Sequence, residues 1–142
     1  LLNVVVLDGQ GGGLGKSIIS KLRSEFFAEI NIICLGTNSH AANSMLKAGG
    51  NLSYYGDDYI ANYIVNNNMS CIIAPIGMLC PGGLNGEVTQ KLAEVVFKKD
   101  CKKYIIPLKK HGFYIPGTAN LEIKEILNEI IYDIKRCQEL TS

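Results

Sequence analysis

Five short apolar runs, each followed by residues at helical spacing or by a tight turn, constrain this chain more than any other feature. The runs are Asn3–Leu7, Ile30–Leu35, Leu52–Tyr55, Cys71–Pro75 and Lys103–Leu108. The first, rich in Val, reads as a central parallel strand covered on both faces, Cys71–Pro75 as another buried strand, and the remaining runs as strands. Between the runs, Ile18, Ile19, Leu22 and Phe26 predict a helix over Lys16 to Phe27, and Ala41, Ala42, Met45 and Leu46 a shorter one ended by Gly49-Gly50. Ile60, Tyr63 and Ile64 mark a third helix. Asn85-Gly86-Glu87 reads as the opening of a fourth that carries Val88, Leu92, Val95 and Val96, and a last helix spans about Leu121 to Cys137. The segment His111–Gly117 reads as a loop or a small extra strand. Strand and helix alternating in this way predict an α/β, three-layer, doubly wound parallel sheet with strand order 3-2-1-4-5, because each right-handed crossover lays a helix on one face.

The chain has 142 residues, 47% of them hydrophobic, so a single domain over residues 1–142 is expected. Fourteen basic and thirteen acidic residues leave a net charge of +1, which argues against nucleic acid or an anionic membrane as the main partner. The apolar runs fall far short of the ~20 residues that span a bilayer, and no charged-then-apolar leader precedes the first strand, so a cytoplasmic location is expected. Five widely spaced cysteines without a CxxC pair suggest neither a disulfide framework nor a metal site; most are expected to be buried thiols.

The first run leads into Asp8-Gly9-Gln10-Gly11-Gly12-Gly13-Leu14-Gly15-Lys16-Ser17, where five of the fifteen glycines fall within seven residues. Such a turn ahead of a helix suits a phosphate, which the amide N–H groups and the positive helix end would bind. Three templates compete. GxGxxG fails at Leu14. GxxxGxG fits Gly9, Gly13 and Gly15 and resembles the cofactor loop of short-chain dehydrogenases. The P-loop GxxxxGK[ST] fails at Gln10, although Gly12–Ser17 is close to the loop of small chromosome-partitioning ATPases. In the proposed strand order, this loop and the second glycine-rich stretch after Pro75 (Ile76, Gly77, then Gly82, Gly83, Asn85, Gly86, Glu87) converge on one crevice at the topological switch point. The candidate ligand contacts are therefore Asp8 to Lys16, with Gly36, Thr37, Asn38 and Ser39 after the second strand, and Pro75, Ile76, Gly77, Asn85 and Glu87 after the fourth. Gly36–Ser39 contains no acid to hold an unmodified ribose, so the reading leans from NAD toward NADP; the same residues also suit a helix cap.

Chemistry is harder to find. No tyrosine is followed four residues later by a lysine, so the short-chain dehydrogenase dyad is missing, and the fourth strand ends without a magnesium-binding acid. Asp8 could take a ligand hydroxyl or a proton, or serve as a turn residue. Glu87 could act as acid or base, or favour a helix dipole in a first turn. Cys80 is the best-placed thiol. His111, behind Lys109 and Lys110, could reach an anion or belong to a solvated loop. Tyr54, Tyr55, Tyr59 and Tyr63 read as packing or interface residues rather than a stacking platform.

In combination, Leu7–Lys16, Gly36–Ser39, Met45–Gly49, Pro75–Gly77 and Asn85–Glu87 resemble the DUF3842-type family of small bacterial Rossmann-like proteins. That resemblance covers nearly the whole chain and implies a stand-alone Rossmann-like domain. It supplies no activity, substrate or catalytic residue, and this chain departs from the pattern around Cys80 to Gly83. The expectation is a protein that binds a nucleotide or dinucleotide, NADP or NAD in kind, and pairs as a homodimer. The alternatives are a small reductase using Asp8 or Glu87 as proton donor, or a minimal P-loop-like hydrolase.

Overall fold

The computed structural model describes residues 1–109 and 112–141. The chain forms two compact units, Leu1–Leu108 and Lys109–Ser142.

The first unit holds the sheet: β1 (Leu2–Asp8), β2 (Ile30–Gly36), β3 (Leu52–Tyr55), β4 (Cys71–Pro75) and β5 (Lys102–Ile106). Every pairing is parallel and the order is β3-β2-β1-β4-β5, as the alternation of elements required. Between the strands lie α1 (Gly13–Phe26), α2 (Ser39–Lys47), α3 (Asp57–Asn66) and α4 (Gln90–Lys98), with 3-10 turns at Phe27–Glu29 and Ile76–Leu79. Successive strand residues point to opposite faces. Val5, Leu7, Ile33, Leu35, Ile72 and Ala74 meet Ile60, Ala61 and Ile64 of α3 and Leu92, Ala93 and Val96 of α4 in one core layer. Val4 and Val6, on the other face of β1, are also buried, and α1 and α2 pack against β1 and β2 and against each other.

Register decides where the site lies. Asp8 pairs with Gly36, and Gly36 with Tyr55, so the C-terminal ends of β1, β2 and β3 finish in line. The loops after β1 and β2 leave from that edge, as does the loop after β4.

Several boundaries differ from the sequence reading for local reasons. α1 begins at Gly13 rather than Lys16, because Gly12 takes a left-handed turn (φ 73°) and its carbonyl accepts the Lys16 N–H at 2.8 Å. α4 does not begin at Asn85. Leu84, Asn85 and Gly86 all have positive φ (54°, 56° and 87°), which right-handed helix cannot include. The helix starts after Thr89, whose hydroxyl caps the Leu92 N–H. Val88 is buried as expected but lies ahead of the helix.

Only Cys34 and Cys71 are buried; Cys80, Cys101 and Cys137 are half-buried. Burial pushes the Cys34 thiol up to about 12, against a smaller opposing pull from Arg23. Cys34 is thus an inert core thiol.

In the second unit, Gly112–Gly117 forms loop and turn rather than a strand, with the Thr118 hydroxyl donating to the Ile115 carbonyl. The last helix, α5, spans Ile123–Thr141, and its least exposed residues, Leu127, Ile130, Ile131 and Ile134, keep helical spacing. Lys110 and His111, for which the sequence offered an anion contact, lie outside the described residues. Among the described residues no helix is long and apolar enough to cross a membrane.

Candidate functional site

The first glycine loop is tied to its own strand. Asp8 is 6% exposed, and its carboxylate accepts the Gly9 N–H at Oδ1 (2.8 Å) and the Gly15 N–H at Oδ2 (2.7 Å). The Gly12 N–H closes a turn on the Gly9 carbonyl at 2.9 Å. Asp8 therefore holds the loop's shape, and the Gly9, Gly12 and Gly15 N–H groups, read as anion donors, are used internally.

The glycines then divide by surroundings. A Cβ at Gly9 would lie 2.8 Å from Glu87 Oε1 and would collide with the Thr37 hydroxyl, and one at Gly15 would collide with Met45. Both positions exclude side chains because other residues pack there. Gly11 and Gly13 are different: both are exposed, and a Cβ would meet nothing within 4 Å. The Gly13 and Leu14 N–H groups, in the first turn of α1, have no hydrogen-bond partner among the described residues. Lys16 is exposed beside them, while the Ser17 hydroxyl turns back to the Gly13 carbonyl at 3.2 Å. The open part of the loop is therefore at Gly11, Gly13 and Leu14.

The loop after β2 joins the first through Asn38 and Thr37. Asn38 Oδ1 caps α2 by accepting the Ala41 N–H (2.8 Å), as a cap reading of Gly36–Ser39 requires, and its amide donates to the Gln10 carbonyl (3.0 Å). The Thr37 N–H donates to the Asp8 carbonyl at 3.1 Å. Ser39 is exposed at the start of α2.

Glu87 connects all of this. Its Oε1 accepts the Gln10 N–H at 2.8 Å, the Thr37 hydroxyl at 2.5 Å and the Asn38 amide at 3.1 Å. Burial works to raise the Glu87 carboxyl, but the bonds from Gln10, Thr37 and Asn38 together outweigh it and hold the group below its ordinary value. Held in its ionised form, the side chain suits an acceptor better than a proton donor. Nor does it serve a helix dipole, since α4 begins beyond it. Among the described residues Oε2 has no hydrogen-bond partner and no buried side-chain oxygen is left unpaired, so Oε2 is open to solvent. An acid does stand at the end of β2, delivered from the loop after β4. The absence of an acid on which the NADP lean rested is thus local to Gly36–Ser39 and does not hold for the folded edge.

The second glycine-rich loop does not form an open wall. Leu84 is 5% exposed and lies close over both Gly9 and Gly77. Pro75 and Gly77 are buried and Ile76 is half-buried beneath this segment, while Asn85 is exposed. The segment is anchored by the Gly82 N–H on the Val88 carbonyl (2.8 Å), the Val88 N–H on the Gly83 carbonyl (3.1 Å) and the Thr89 N–H on Asp57 Oδ2 (2.8 Å). Leu84 and Asp57 were absent from the sequence-derived site. An Asp at a helix start reads as a dipole partner, and an apolar residue between glycines carries no sign of its contacts. Cys80 is half-buried, its thiol 3.7 Å from the Ile76 carbonyl, and does not face the Glu87 cluster through any hydrogen bond.

The sequence matches the family described as Domain of unknown function (DUF3842) over residues 3–139, and the chain belongs to it. No curated protein matches it. Among solved structures it is similar to a dodecameric FMN-dependent UbiX-like decarboxylase from Escherichia coli O157:H7. The identity is 13%, the TM-score 0.52, and the match covers 92% of this chain and 90% of that one. At that identity the likeness is one of fold.

Proposed function

We propose that this DUF3842 protein binds a phosphate-bearing mononucleotide at the C-terminal edge of its parallel sheet, within the unit Leu1–Leu108. The observation that carries the reading is the exposed, side-chain-free surface at Gly11 and Gly13 together with the unpartnered N–H groups of Gly13 and Leu14. These donors stand at the positive end of a 14-residue helix, at the switch point between β1 and β4, where an anion is favoured. Lys16 adds a cation, and the solvent-facing Oε2 of Glu87 is an acceptor for a ribose hydroxyl. A solved protein of the same fold depends on flavin mononucleotide, which makes that ligand the first to try. The role is to bind and present the nucleotide. A reductase would need a proton donor other than Glu87, and a P-loop hydrolase a magnesium ligand at the end of β4.

The test is thermal melting of the purified protein with FMN, AMP, NAD, NADP and inorganic phosphate, each at millimolar concentration. FMN or AMP is expected to raise the melting temperature and NADP to do so least. Ligand at a hundred times its Kd stabilises by about 2.7 kcal/mol. If no nucleoside phosphate shifts the transition, the reading is wrong.

A further inference from the structure

A second feature lies on the same edge of the sheet, one strand beyond Gly36. Ser53, Tyr54, Tyr55 and Tyr59 line a cavity of about 380 Å³, within the roughly 300–1,000 Å³ of ordinary small-molecule sites. Two of its tyrosines, Tyr54 and Tyr59, are in ring contact. The Tyr54 ring stacks on Tyr59 at 5.4 Å between centroids and 30° between planes, and meets Tyr63 at 5.1 Å and 32°. Tyr54 and Tyr63 are partly buried against the core, so the stack has a fixed base, while Tyr55 and Tyr59 are each 58% exposed. Two exposed aromatic rings beside a cavity whose inner wall is packed against the core offer a surface for a planar ring.

Position gives the cavity its ligand. Tyr55 pairs with Gly36 and Gly36 with Asp8, so Tyr55 is two strand spacings, about 10 Å, from the end of β1. Between them lie Thr37, Asn38 and the Glu87 carboxylate. Phosphate donors at α1, a carboxylate in the middle and a tyrosine stack at the far end follow the order of phosphate, ribose and base in a nucleotide.

We propose that the Ser53–Tyr54–Tyr55–Tyr59 cavity is a base-stacking subsite that takes the planar aromatic ring of the nucleotide, with the Ser53 and tyrosine hydroxyls available to the ring's polar edge. This rests on the phosphate site proposed above. Stacking on aromatic side chains tolerates any flat heterocycle, so the subsite selects a ring and α1 selects the phosphate.

The chain has no tryptophan and four of its seven tyrosines, Tyr54, Tyr55, Tyr59 and Tyr63, belong to this cluster, so a change in tyrosine fluorescence that Tyr59→Ala removes is assigned to it. The experiment titrates wild type, Tyr59→Ala and Tyr59→Phe with FMN, ribose 5-phosphate and adenosine. Tyr59→Ala is expected to weaken FMN about tenfold and Tyr59→Phe to restore it, with ribose 5-phosphate unaffected in both. FMN bound equally well by wild type and Tyr59→Ala would overturn the subsite and leave the phosphate site standing. If FMN and ribose 5-phosphate both fail to bind wild type, the phosphate reading falls and adenosine decides the subsite alone. Tyrosine quenching by adenosine that is lost in Tyr59→Ala sustains it, and absence of quenching ends it. A Tyr59→Ala variant that changes its elution volume but not its ligand affinity would make the cluster a contact between copies and overturn the proposal.

Discussion

The two glycine-rich loops look alike in sequence and behave oppositely in the fold. Residues Asp8–Lys16 form a loop braced from below by the Asp8 carboxylate, with Gly11 and Gly13 facing outward. Residues Ile76–Thr89 fold back over it, burying Leu84 and laying Glu87 across Gln10, Thr37 and Asn38. One loop presents donors and the other supplies an acceptor and a cover. Glycine content alone therefore does not tell an open loop from the segment that packs on it; what distinguishes them is the space beside each Cα.

The sharpest way to break this comparison is Asp8→Ala. If Asp8 is the brace, losing it strands the Gly9 and Gly15 N–H groups in a buried place and costs about 3 kcal/mol in urea unfolding. A variant of unchanged stability that no longer binds nucleotide would instead make Asp8 a ligand contact. Next in size is the pair Gly15→Val and Gly13→Val. The first forces a side chain into Met45 and is expected to cost about 2 kcal/mol. The second projects into open space, should change stability by less than about 0.5 kcal/mol and should abolish nucleotide binding, as read by the same melting panel.

A smaller effect concerns the covering loop and pH. Because the folded Glu87 carboxyl lies below its ordinary 4.5, it contributes stability above that pH and loses it as pH falls through the folded value. Unfolding free energies of wild type and Glu87→Gln should therefore differ by a constant amount near neutrality and converge in acid below about pH 4.5. A difference that persists into strong acid would show that packing, not ionisation, holds the segment. The smallest expected effect is at Gln10, whose φ of 52° strains a residue with a Cβ. Gln10→Gly should gain about 0.5 kcal/mol, the relief of left-handed strain less the added chain entropy.

Much of the scaffold could be read directly. β3 and β4 have the predicted limits, Leu52–Tyr55 and Cys71–Pro75: β4 is a buried run closed by Pro75, whereas β3 is an edge strand with Leu52 and Tyr55 exposed and is closed by Gly56. The beginnings of α1 and α4 could not be read, since each depends on φ at a single turn, at Gly12 for one and at Leu84–Gly86 for the other. Of the candidate site, Gln10, Thr37, Asn38 and Glu87 do come together, but as mutual partners rather than as a row of free contacts. Gly77 and Pro75 went the other way and are buried under Leu84.

By itself the sequence determined the parallel sheet, its order and the edge to which the loops belong, because hydrophobic period and turn residues act over a few neighbours and a right-handed crossover leaves little choice. Only the tertiary structure decided which glycines are open and that Glu87, 77 residues beyond Gln10, supplies the acid at the end of β2. That pairing depends on where a loop with no regular structure comes to rest. Its resting place is set by the packing of Leu84 and by three hydrogen bonds to one oxygen, which no local pattern in the chain encodes.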